Sequence, residues 1–294
     1  MQTYRDNPPT MRFFTGFRDY EHFKYFYGCC LPAIERLDYQ CETFTRMDEL
    51  FLCIMKLRTD KCDEELGYLF GISNRTVGRI FSTLLRFLYF HLSEISFWLS
   101  KETIQQFMPS GFKAQYPLTR VILDGTEFRI DKPSNVEDQS ATWSSYKNKN
   151  TLKAVVGISP KGVVSHVSEI YGGAASDRQI LERSELLNED MFEDKDQIMA
   201  DRGIRVQDLF ASKNVLVNTP SMLKGKSQLL PEEVIRDRRV ASMRVHVERV
   251  IGLAKTFKII KNDMNHFKAA YGEMLIRVCF LLCNFKPCII GNSA

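Results

Sequence analysis

Apolar residues recur at helical spacing through the first third of the chain, then give way to short apolar runs and alternation. The stretch YEHFKYFYGCC has the pattern of a short amphipathic helix that Pro32 ends or kinks, within an aromatic-rich segment (Phe13 to Tyr27). Thr45 can cap a following helix, with acid three and four residues on, and Leu50, Phe51, Ile54, Met55 and Leu57 form its core face. A polar break at Arg58–Lys61 leads into CDEELGYLF, Gly71-Ile72-Ser73 and NRTVGRIFSTLLRFLYF. This is a helix-turn-helix pattern. Leu66 and Phe70 share one face, Gly71 makes the turn, Ile72 fills the corner and Ser73 caps the second helix. Val77, Ile80 and Phe81 would pack inward, while Asn74, Arg75, Gly78 and Arg79 would face a DNA groove and its phosphates. An ordinary helical hairpin has the same pattern.

A short helix in FWLSKETIQQFM and a loop with Pro109, Gly111 and Pro117 mark a boundary. Beyond it, VILDGTEFRI predicts a strand, and LKAVVGISPKGVVSHVSEIYGG predicts two more joined at Ser159-Pro160-Lys161-Gly162. SDRQILERSELLN predicts a helix capped by Ser176; QIMAD and VLVNTP predict strands flanking a helix in VQDLFASKN. A long helical stretch over 231–260 closes the pattern. The expected class is α/β: an all-α helix-turn-helix domain over 1–110, then an RNase H-like domain over 119–290 with this order of elements.

Net charge, +4, decides little. Its distribution adds more: Arg236, Arg238, Arg239, Arg244, Arg249, Lys255, Lys258 and Lys261 face only Asp237 and Glu248 between 236 and 261. Such density suits a polyanion, and equally a solvated helix face. No run is apolar enough to span a bilayer, and MQTYRDNPPT lacks the order of a signal peptide, so an intracellular site and reduced thiols are expected. Cys279 and Cys283 sit in an apolar run and read as core residues; no second cluster joins them and Cys288 into a zinc site.

Three acids have the placement that chemistry needs. Asp124 follows Val121-Ile122-Leu123, and Asp201 ends Ile198-Met199-Ala200; residues at strand ends line ligand crevices in open sheets. Glu248 lies at the edge of a stripe formed by Val240, Met243, Val247, Val250, Ile251 and Ala254. Carboxylate oxygens suit Mg²⁺ or Mn²⁺, with which they could hydrolyse a phosphodiester. Spacing alone leaves alternatives open: an Asp-Gly turn at Asp124, a cap at Asp201, and pairing of Glu248 with Arg244 or Lys255.

LDGTEF, WSSYKNKNTLKAVVGISPKG, YGGAASDRQI, MADRGI and RVHVERVIGLAK, in this order and at these intervals, resemble the PIF/Harbinger superfamily of DDE transposases. FFTGFRDYEHFKYFY and LFGISNRTVGRIF resemble its lineage with a helix-turn-helix before the nuclease, so the likeness runs from about residue 13 to 289. The resemblance implies that Asp124, Asp201 and Glu248 are the metal-binding catalytic triad. Arg244 and Lys255 bracket Glu248 as R-x-x-x-E-x-x-x-x-x-x-K, implying DNA or phosphate contacts or, for Arg244, orientation of Glu248. Ala241 departs from the related bacterial signature, which has Tyr there. Asp177 falls at a family-typical acid, implying a supporting or capping role, and Tyr146, Lys147 and Lys153 resemble substrate-side positions. The implied activity is cut-and-paste transposition in the nucleus, on double-stranded transposon ends, by a homodimer or larger assembly, with a Myb-like accessory protein in many relatives. The alternative is a domesticated, catalytically silent DNA-binding protein.

Overall fold

In the computed structural model, Thr45 accepts a hydrogen bond from the amide of Asp48 (3.2 Å), and the Asp48 carboxylate accepts one from the Thr45 amide (3.3 Å). This capping box starts the helix Arg46–Thr59, whose expected core face is fully buried. The structure describes residues 2–221, 228 and 230–292. They form two compact units, Met1–Ile95 with Leu253–Pro287, and Ser96–Gly252 with Cys288–Ala294. Among the described residues, no helix is long and apolar enough to cross a membrane.

The helical unit is built around Arg46–Thr59 and the pair Asp63–Phe70 and Asn74–Glu94. Gly71 ends the first helix of the pair with φ +69, and the Ser73 hydroxyl accepts from the Thr76 amide (3.1 Å) to start the second. Gly67 also shapes the corner: the Ile72 amide donates to its carbonyl (3.0 Å), and a Cβ on Gly67 would lie 2.8 Å from the Ile72 carbonyl oxygen. Val77, Ile80, Leu84, Leu85, Leu88 and Leu92 form the buried face. The aromatic-rich N-terminus packs into the same core, with Phe17 and Phe26 centroids 5.2 Å apart and Phe23 5.8 Å from Phe51.

A charged pair is buried with these rings. Arg46 and Glu49 are only 3% and 1% exposed, and their side chains meet at 2.9 Å. Arg46 also donates to the carbonyls of Leu37 and Tyr39, while the Cys41 amide donates to Glu49 (2.7 Å). The two side chains thus hold the 37–41 segment in place, which periodicity does not reveal.

The unit boundaries differ from those expected from sequence. The 231–260 stretch is not one helix: Pro231–Ala254 ends where the Thr256 hydroxyl donates to the Leu253 carbonyl (2.6 Å), a side-chain bond that competes with helix continuation. Phe257 turns inward, and the buried helix Gly272–Leu281, carrying Cys279, packs on Asn74–Glu94. The 253–287 segment therefore completes the helical unit. Residues 96–118 join the sheet unit, where Trp98 packs edge-on against Phe192 at 5.2 Å.

The sheet has strands β1 (Thr119–Arg129), β2 (Trp143–Ser144), β3 (Lys149–Ile158), β4 (Val164–Val167), β5 (Tyr171–Gly172), β6 (Gln197–Ala200) and β7 (Leu216–Asn218). Its order is β2-β3-β1-β6-β7, with β4 and β5 also paired to β3. β1 runs antiparallel to β3 and parallel to β6, and β6 parallel to β7. Val121, Ile122 and Leu123 are wholly buried, as expected of a strand covered on both faces. One face packs on Ile180, Leu181, Leu186 and Phe210. The helix after Ser176 is shorter than expected, Asp177–Glu182, because Ser184 caps a separate turn over Glu185–Leu187. A helical N-terminal region followed by a mixed α/β sheet domain is consistent with the RNase H-like arrangement.

Candidate active site

The parallel register between β1 and β6 pairs Leu123 with Ala200. Asp124 and Asp201 are the next residues on their two segments, so the pairing brings two carboxylates side by side. Asp124 is not at a strand end, as the apolar run suggested. β1 continues five residues to Arg129, and it is β6 that stops, opening space beside Asp124.

The helix Pro231–Ala254 supplies the countercharge. Arg244, nearly buried, reaches Asp201 at 2.8 Å and Asp124 at 3.6 Å. Its guanidinium is turned onto the two aspartates, not outward as a DNA contact and not onto Glu248. Glu248 lies one helical turn further on, exposed, between buried Val247 and Ile251. Lys255 lies just past the helix, in the helical unit.

Asp124 is pushed up to about 6, chiefly by burial; Arg244 opposes the rise, and the negative charges of Asp201, Glu248 and Asp177 add to it. The four acids therefore share one field, and two cations, Arg244 on the aspartate pair and Lys153 on Asp177, leave it under-neutralised. That is the charge deficit a divalent cation offsets, and carboxylate oxygens are the donors Mg²⁺ or Mn²⁺ prefers. Among the described residues, no three His, Cys, Asp or Glu side chains stand together as a finished metal cage. Asp124 and Asp201 converge on Arg244, with Glu248 beside them on the helix.

Asp177 supports the site from behind. It is the first residue of its helix, not the cap, and its carboxylate meets the Lys153 ammonium at 2.9 Å. A Cβ on Gly125 would lie 2.5 Å from that carboxylate, so a side chain there would displace Asp177 from the backbone beside Asp124. The next residue, Arg178, grips the segment that follows Asp201. It donates to the Arg205 carbonyl (2.6 Å) and to both Asp208 oxygens (2.8 and 2.6 Å). Sequence reasoning missed Arg178; its position after Asp177 was the available signal.

In the helical unit, Asn74, Arg75 and Arg79 are exposed at the start of the second helix of the pair. Arg79 also lies over the Tyr39 ring, 4.4 Å from its centroid. Gly78, expected to face outward, is half-buried beside the Asp63 carboxylate, which would lie 3.2 Å from an added Cβ.

Comparison with known families bears on both units. Residues 123–284 match a family model described as DDE superfamily endonuclease. Residues 45–94 match one described as helix-turn-helix of DDE superfamily endonuclease. No curated protein matches the chain.

Proposed function

Because the chain belongs to the DDE superfamily of endonucleases and carries that superfamily's helix-turn-helix, we propose that it is a metal-dependent DNA transposase of the PIF/Harbinger type. The observation that carries this reading is the strand register that sets Asp124 beside Asp201, with Arg244 between them. Asp124, Asp201 and Glu248 would hold Mg²⁺ or Mn²⁺, which when bound polarises the scissile phosphate and activates water. Arg244 bridges the two aspartates and opposes the rise in the Asp124 carboxyl. Asp177, held by Lys153, buttresses the Asp124 strand, and Arg178 fixes the Asp201 segment. The helix-turn-helix holds duplex DNA through Asn74, Arg75 and Arg79, and Lys255 adds a phosphate contact. Two transposon ends must meet for cut-and-paste joining, so the working form is a homodimer or larger, acting in the nucleus, with a Myb-like protein as accessory.

A silent DNA-binding protein is the second reading, favoured by the same guanidinium, which neutralises the aspartates where a metal would. Joining separates the two. Duplexes selected by the purified chain from a random pool, given free 3′-hydroxyls, are incubated with supercoiled plasmid and Mg²⁺ or Mn²⁺. Covalent joining to the plasmid supports a transposase. Nicking without joining limits the chain to an endonuclease, and tight binding with neither supports the silent protein.

Arg75→Ala is expected to weaken binding to all duplexes and to lower the slope of log affinity against log salt by about one. Arg79→Ala should do the same and also lose its packing on Tyr39. Fluorescence anisotropy across a salt series measures both. An unchanged slope in both variants would mean that this helix does not contact phosphate.

A further inference from the structure

Away from the carboxylates, one hairpin of the sheet unit displays two neighbouring aromatic side chains. β2 and β3 pair as a tight hairpin, Trp143 with Asn150 and Ser144 with Lys149. Trp143 is 46% exposed and Tyr146, in the connecting turn, 82%. The Lys147 ammonium sits 4.4 Å from the Tyr146 ring centroid, and Lys147 and Lys149 are both exposed.

The frame behind these rings is fixed. The buried Asn150 side chain donates to the Gln139 carbonyl and the Thr142 hydroxyl, each at 2.9 Å. The Ala174 amide donates to the Ala141 carbonyl (3.2 Å), and the Lys147 amide to the Ser144 hydroxyl (3.2 Å). A rigid backbone carrying exposed aromatic faces and cations loses little entropy on binding a flat, anionic ligand.

The hairpin also belongs to the strand that pairs with β1. Val156 on β3 opposes Asp124, and Asn150, the partner of Trp143, lies six residues earlier on the same strand, an even step that keeps both on one face of the sheet. At ~3.3 Å per residue that is roughly 20 Å, the length of about six stacked nucleotides. A DNA strand laid along β3 from the acids would reach the rings.

We propose that Trp143 and Tyr146, flanked by Lys147 and Lys149, form a stacking site for unpaired bases of a DNA strand. Aromatic faces take any base, and the lysines meet its phosphates. The site rests on the nuclease reading for its substrate, but it binds through groups that take no part in cleavage.

The chain has two tryptophans, and Trp98 packs within the sheet unit, so Trp143 can be observed separately. In full-length Trp98→Phe protein, a duplex with a single-stranded poly-dT tail is expected to quench Trp143 fluorescence, and the blunt duplex is not. In the otherwise native chain, Trp143→Ala and Tyr146→Ala should each weaken tailed-duplex binding roughly five- to one-hundred-fold and blunt-duplex binding less than about twofold. Equal affinities of wild type and both variants for the tailed duplex would overturn the proposal. So would self-association without DNA that the same substitutions abolish, since the rings would then meet a second copy of the chain. Cleavage by the wild-type chain, measured in parallel, reports on the nuclease reading independently.

Discussion

Asp124→Asn is expected to abolish cleavage while making the protein more stable at about pH 8. The folded carboxyl titrates at about 6 against 3.8 for the free side chain, because burial and neighbouring acids disfavour its charge. The folded state therefore binds more protons than the unfolded state between those values, and stability falls as pH rises through the interval. Above about pH 7 the ionised group costs about 3 kcal/mol, at 1.36 kcal/mol per unit. Asparagine imitates the neutral acid and avoids that cost, and Arg244 keeps its closer partner, Asp201. The variant should thus be more stable by up to about 3 kcal/mol at about pH 8, with the difference vanishing near pH 4. Urea unfolding across the pH range measures it. A difference that is constant with pH would mean that Asp124 is not strained by its charge, and the case for a cation-demanding site would weaken.

Glu49→Ala should destabilise the helical unit by about 3–5 kcal/mol. It leaves the buried Arg46 guanidinium without its countercharge and the Cys41 amide without its acceptor. The consequence reaches function through the 37–41 segment. Tyr39 lies in that segment and carries Arg79 on its ring, so its release should loosen the helix proposed to meet DNA. Thermal unfolding and duplex affinity, measured on the same preparation, should fall together. A loss of less than about 1 kcal/mol would show that the pair contributes little, as exposed ion pairs do.

Features set by nearby residues were legible in the sequence. Thr45, Ser73 and Ser176 cap the helices they were expected to cap, and the Ser159–Gly162 turn joins β3 to β4. The stripe from Val240 to Ala254 is buried as its spacing implied. Features set by distant partners were not legible. An apolar run ending in Asp124 does not say whether the strand stops there, because continuation depends on β3, which pairs with Arg129. Nor does it give the register against β6, on which the acid pair depends. Arg244 was read through its spacing to Glu248, yet it turns to acids 120 and 43 positions away in sequence. The run through Cys279 was recognisable as core, but not as core of the helical unit.

The most direct measurement is nicking of supercoiled plasmid by the full chain and by Asp124→Ala, Asp201→Ala and Glu248→Ala in turn, with Mg²⁺ or Mn²⁺ and with chelator. Metal-dependent nicking by the wild type, lost at least about a hundredfold in each variant while duplex binding persists, is the expected result. No nicking by the wild type in either metal, or nicking that survives Asp124→Ala unchanged, would contradict a catalytic carboxylate site.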